Sequence, residues 1–176
     1  MAISQIANNS LATGVPSAAK LPAGSVLQVV SAVYTSAFST TSQTPSDTGL
    51  TANITPSSAS NKVLILIRHP IYVTGNVLSF SQYRANAMFR LLANGSQVFT
   101  GGADASGGYS ETISSSANTT VEAGGIWSLA WLDFPATTSA VTYKTQLRVG
   151  LAGMTAYGTQ GAAYEPASII LMEIAV

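Results

Sequence analysis

The chain has 176 residues, and its seven basic and seven acidic side chains cancel, so only 8% of it is charged against about 25% in an average soluble protein. It has no cysteine, which excludes disulfides, thiolate metal sites and cysteine nucleophiles. A near-neutral surface cannot grip a phosphate backbone, which excludes nucleic acid as a partner, and the apolar runs are too short to cross a bilayer, so no membrane partner is expected. The length suits one domain that buries roughly 70% of the surface its unfolded form exposes. Charged residues are depleted at interface cores, so this composition points to a protein packed against copies of itself or a lattice.

Residues 1–24 show no sustained period. Ile3, Ile6, Leu11, Val15 and Leu21 are irregularly spaced, with Pro16 and Pro22 among them, and this is read as an arm, either a free tail or a segment that orders on a partner. Met1 is followed by AISQIANNS, which lacks the basic and apolar regions of a secretory signal. From Ser25 strands begin, with Leu27, Val29 and Val33 as the apolar side of the first and a polar loop through Pro45–Gly49 after it. Leu50, Ala52 and Ile54 alternate with polar residues as a half-buried strand, and Pro56–Asn61 makes a turn. Val63–Ile67 is apolar at every position, so both faces of that strand need a cover, the second of which a neighbouring subunit would supply. Pro70 is expected to stop or kink it.

Asn94-Gly95, between FRLL and SQVF, suits the two positive φ angles of a type I′ hairpin and would set Leu91 opposite Val98. The Gly-rich stretch 101–125 is given two short strands, near Tyr109–Ile113 and Thr119–Glu122. Trp127, Leu129 and Trp131 share one side of a strand that ends at Asp133, and Pro135 with Thr137, Thr138 and Ser139 reverses the chain. The return strand sets Val141, Tyr143, Thr145, Leu147 and Val149 on one side, so the two strands form a hairpin walling the core. Gly150–Pro166 is read as a loop. In the final strand Ile169, Leu171 and Ala175 face one way and Ile170, Met172, Ile174 and Val176 the other, with Glu173 interrupting the first set. No segment holds helical spacing for three turns, and the sum is an all-β antiparallel jelly-roll sandwich over residues 25–176, preceded by the extended arm.

The segments LPAGSVLQVV, GLTANITPSSASNKVLILI, FRLLANGSQVF, WLDFPATTSAVTYKTQLRV and ASIILMEIAV, in this order, resemble a group of bacteriophage virion proteins. The resemblance implies a jelly roll similar to the tumour-necrosis-factor and C1q type, usually trimeric, found on tail fibres and as capsid decoration. It carries no ligand-binding residues over to this chain.

Catalytic chemistry has little material. His69, the sole histidine, sits beside Pro70 and is read as a packing or hydrogen-bonded residue rather than a general base. Asp104, Glu111 and Glu122 lie in Gly-rich loops at spacings that fit solvated charges better than a glycosidase pair or a calcium site. Asp133 is expected to accept backbone amides in its corner, and Glu173 to pair with Arg68, Lys62 or a neighbouring subunit, the alternatives being a water-filled axis or a plainly exposed position. Tyr109, Tyr157 and Tyr164 lie in loop-rich regions and are read first as ordinary loop packing, with aromatic platforms for a glycan on a receptor-binding tip as the alternative.

The expected function is that of a non-enzymatic virion protein without cofactor or metal: a capsid-surface decoration or cement protein. It would trimerise through Val63, Ile65, Ile67, Ile169, Leu171 and Glu173, and dock by Ile3, Ile6 and Leu11 on the major capsid protein or another virion protein. Asn94, Gly95 and Asp133 are assigned to structural turns. The alternative is a tail-fibre or adaptor tip that binds a host-surface glycan.

Overall fold

The structure, a computed structural model, describes residues 21–77, 83–99, 108–113, 119–161 and 165–176. Among these the strands are β1 (Val26–Tyr34), β2 (Phe38–Thr40), β3 (Ser46–Ile54), β4 (Lys62–Val77), β5 (Tyr83–Ala93), β6 (Ser96–Gln97), β7 (Gly108–Ile113), β8 (Thr119–Asp133), β9 (Val141–Val149), β10 (Met154–Thr159) and β11 (Ala167–Ile174).

Their pairing is nested. β1 pairs with β11, β3 with β9, β4 with β8 and β5 with β7, all antiparallel, so the chain is one long hairpin rolled over itself. Rolling brings β11 beside β4 and β9 beside β5, which produces two sheets, β1-β11-β4-β8 and β3-β9-β5-β7. This wrapping is the jelly roll. β10 and β2 extend the first sheet beyond β11, and β6 completes a hairpin with β5.

The core lies between the sheets. Alternate residues of β9 are buried, Val141, Tyr143, Thr145, Leu147 and Val149, and they meet Val63, Ile65, Ile67, Ile169, Leu171 and Phe89 in one cluster. Each large aliphatic side chain buried this way contributes roughly 1.5–3 kcal/mol. Thr145 fits among them because Thr48 meets it, Oγ1 to Oγ1 at 2.5 Å.

Several expectations are corrected by this topology. β8 and β9 are not a hairpin: the corner at Pro135 carries the chain from one sheet into the other, so the Trp strand pairs with β4 and the return strand with β3 and β5. Pro70 does not end its strand. The register with β8 runs unbroken through Pro70↔Ile126, and on its other edge β4 is changing neighbours there, from β11 at Arg68 to β10 at Tyr72, where a missing donor costs little. The segment 119–122 is the start of the long β8, and the Gly150–Pro166 passage contains β10. Val29 and Val33 of β1 point outward, at 57% and 63% exposure, whereas Val30, Ala32 and Tyr34 pack on the core.

The Asn94-Gly95 hairpin forms as expected, with φ of 48° and 84° and Ala93 opposite Ser96. Val98 N donates to Leu91 O at 3.0 Å. Asn94 also reaches the neighbouring strand: its Oδ1 accepts from Thr142 N at 2.9 Å.

Candidate interaction face

The outer face of the larger sheet follows from register. Reading across β1, β11, β4 and β8, one row is Val29, Met172, Leu64 and Leu132, and the next is Ser31, Ile170, Leu66 and Ala130. At an inter-strand spacing of about 4.8 Å these rows are roughly 14 Å across. Leu64, Leu66, Ile170 and Met172 are half-buried by their neighbours, while Val29 and Leu132 are exposed. Charge is confined to the borders: Lys62 lies 4.7 Å above the Phe134 ring at one end, and Arg68 pairs with Glu165 at 2.5 Å at the other. β4 and β11 are apolar on both sides because one side fills the sandwich and the other forms this face.

The residues expected at the interface lie on the opposite side of these strands. Val63, Ile65, Ile67, Ile169 and Leu171 are buried within a single copy, since pairing with β8 and β1 turns them toward β9 and β5. Their alternates, Leu64, Leu66, Ile170 and Met172, carry the outward face.

Glu173 is likewise interior, at 1% exposure, and makes no ion pair among the described residues. Its carboxylate accepts from Ser57 N and Ser57 Oγ at 2.7 Å, from Asn61 Nδ2 at 2.6 Å and from Gln28 Nε2 at 2.6 Å. Burial pushes the carboxyl up, and the hydrogen bonds from Asn61, Gln28 and Ser57 outweigh it, leaving the group below its ordinary value. The expected partners are engaged elsewhere, Arg68 with Glu165 and Lys62 with Phe134. Nearby, Gly24 N donates to Ala175 O at 2.8 Å and Ala175 N to Ser25 O at 2.9 Å, so the end of the arm is held beside the C-terminal residues.

Asp133 accepts a hydrogen bond from the Tyr143 hydroxyl rather than from corner amides among the described residues. His69 is fully buried against Phe89, with ring centroids 4.5 Å apart, and Phe89 stacks on Trp127 at 4.7 Å. Its Nδ1 is 3.1 Å from Pro70 O, and its Nε2 has no hydrogen-bond partner among the described residues. Desolvation lowers the imidazole from 6.5 to about 4, against smaller opposing effects of backbone contacts to Pro70 and Gly158. A neutral imidazole sealed in the core matches the packing role expected of it.

Glu111 and Glu122 fall in different sheets, β7 and β8. No group of three or more His, Cys, Asp and Glu side chains able to hold a metal occurs among the described residues. Ile3, Ile6, Leu11, Asp104 and Tyr164 lie outside the described residues, and Tyr109 is in β7.

Beyond Pro70 the same outer face changes character. Tyr72 of β4 is opposite Tyr157 of β10, with ring centroids 5.8 Å apart and a 48° tilt. The Tyr72 hydroxyl is raised above its ordinary value, chiefly by its hydrogen bond to Glu122. Sequence reasoning passed over Tyr72 because IYV after Pro70 is too short to assign by periodicity.

No family model matches the chain, and no curated protein matches it in sequence. Among solved structures it is similar to dimeric latent PorU from Porphyromonas gingivalis, at 10% identity and a TM-score of 0.32 over 88% of this chain. It is also similar to the VP2 subviral particle of infectious bursal disease virus, at 15% identity and 0.33 over 85%, and to the T13 particle of that virus, at 10% and 0.33 over 86%. The chain spans 14% of PorU and 37% and 38% of the two viral chains. At these scores the likenesses bear on neither function nor assembly.

Proposed function

We propose that this chain is a non-enzymatic phage virion protein that acts by assembly, as a capsid-surface decoration or cement protein. Copies associate as a homotrimer through the outer face of the larger sheet. The arm, with Ile3, Ile6 and Leu11 as anchors, docks on the major capsid protein or another virion protein. The observation that carries the self-association is the pair of uncharged rows Val29-Met172-Leu64-Leu132 and Ser31-Ile170-Leu66-Ala130, apolar at every position but Ser31 and bordered by Lys62 over the Phe134 ring and by the Arg68–Glu165 ion pair. A contiguous apolar patch of this kind marks an interaction site, and rotational symmetry covers it without leaving an open end. The virion assignment is supported by the five ordered segments that resemble phage virion proteins and by the jelly roll those segments imply.

Sedimentation equilibrium tests the association. The wild-type chain is expected as a trimer, and Leu64→Lys with Leu66→Lys as a monomer with an unchanged circular dichroism spectrum. A wild-type chain that stays monomeric at high concentration overturns the proposal. The virion role is tested on particles: copy number should scale with the capsid lattice, and deletion of residues 1–20 should leave a trimer that no longer rebinds stripped capsids.

A further inference from the structure

The tyrosine half of the outer face has the makings of a ligand site independent of self-association. Tyr72 and Tyr157 form a tilted pair between two hollows that share Thr159 and Gln160 in their walls. One hollow continues over Pro70, Ile71 and Glu165, the other over Ala37, Phe38 and Ser39. On β8 the residue opposite Tyr72 is Gly124, which is exposed, and a Cβ there would rest in van der Waals contact with the ring, 3.4 Å from Tyr72 Cδ2, so the glycine leaves that flank of the ring uncovered by a side chain at this position.

The charged groups around the rings disfavour an anion: Glu122 is a carboxylate hydrogen-bonded to the Tyr72 hydroxyl, and the remaining polar groups are neutral or ion-paired. The Gln160 amide makes no hydrogen bond to any described residue, Ser39 presents an exposed hydroxyl in line with Tyr157, and Thr74 and Glu122 face each other beside Tyr72. The cation at the border, Arg68, is paired with Glu165. Aromatic faces beside an amide and a hydroxyl suit a ligand that is apolar on one side and rich in hydroxyls on its edge, and a paired cation offers nothing to an anion. We infer that the Tyr72–Tyr157 groove binds a neutral saccharide, with a sugar ring stacked on Tyr157 and its hydroxyls bonded by Gln160 and Ser39.

The full chain is titrated by calorimetry and saturation-transfer NMR with neutral oligosaccharides of glucose, galactose and N-acetylglucosamine, and with sialyllactose as an acidic probe. At least one neutral oligosaccharide should bind and transfer saturation. Tyr157→Ala should weaken it about tenfold and Gln160→Ala several-fold, while Tyr157→Phe, which keeps the ring, and Lys144→Ala on the opposite sheet should bind as wild type. Thermal melts show that each variant is folded, and Tyr157→Phe with Gln160→Ala decide the matter should Tyr157→Ala unfold. Binding of sialyllactose alone, no binding by any neutral probe, or binding indifferent to these substitutions overturns the inference.

Discussion

The Tyr143 hydroxyl donates a 2.6 Å hydrogen bond to Asp133 Oδ2, linking the last residue of β8 in one sheet to β9 in the other. The bond closes the corner at Pro135 from inside, where the chain crosses between layers and no ladder holds it. Its two ends differ in burial: Tyr143 is sealed in the core, whereas Asp133 is half-buried and can turn to water. Burial is the main reason the phenol is held well above its ordinary value, with Asp133 adding to it. Removing the acceptor should therefore cost more than removing the donor. Asp133→Ala is expected to lose about 1–3 kcal/mol and Tyr143→Phe about 1 kcal/mol, read from urea midpoints at constant slope.

Glu173 supports a prediction about charge type. Its donors, Ser57 N, Ser57 Oγ, Asn61 Nδ2 and Gln28 Nε2, all point hydrogens at the carboxylate, and none is a cation. Glu173→Gln keeps the shape but turns an NH2 toward those donors, so it should destabilise nearly as much as Glu173→Ala, by about 2–4 kcal/mol. Because the folded-state carboxyl is lowered, its contribution is present above the unfolded value and lost as pH falls through the folded one. The wild type should therefore lose stability below about pH 4.5 by a step that Glu173→Gln lacks, measurable by urea unfolding at pH 5 and pH 3.

His69 titrates in a higher window. The unfolded chain takes up its proton near 6.5 and the folded chain only near 4, so between these values the unfolded state binds more protons and stability rises with pH. The contribution is complete above 6.5 and is lost on going down to 4, amounting to about 3 kcal/mol at ~1.4 kcal/mol per unit. His69→Leu should flatten the stability profile between pH 4 and 6.5, and an unchanged slope in that variant would show that another group is responsible.

What could be read from the sequence was what local pattern decides. The alternation of β9 and β3 and the positive φ angles of Asn94 and Gly95 belong to a few neighbouring residues, and all are found in the structure. The outward turn of Val29 and Val33 was not readable, because β1 offers apolar residues on both sides and only its register with β11 chooses between them. For the same reason Val63–Ile67 announced two apolar faces without saying which one fills the sandwich. The partners of Glu173 come from β1 and from the turn after β3, far along the chain, and no spacing rule connects them. The Trp strand and its return looked like a hairpin because a short corner between two alternating strands gives the same pattern whether the chain reverses within a sheet or crosses to another.

β10 was hidden for a reason that can be tested. Gly158 weakens its strand signal, and the structure shows why a glycine stands there: a Cβ would lie 2.8 Å from His69 Cε1. That ring cannot retreat, since Phe89 is packed against it at 4.5 Å and Trp127 backs Phe89 at 4.7 Å. Gly158→Ala is therefore expected to destabilise the chain by about 1–3 kcal/mol, although alanine normally favours an ordered strand over glycine. The clash is specific to the imidazole. In the His69→Ala background the new methyl enters space the ring has left, and Gly158→Ala should become neutral or stabilising. A double-mutant cycle from urea unfolding measures the difference: a coupling of about 1–3 kcal/mol shows that His69 dictates Gly158. Strictly additive effects would show that the glycine serves the backbone of β10 instead.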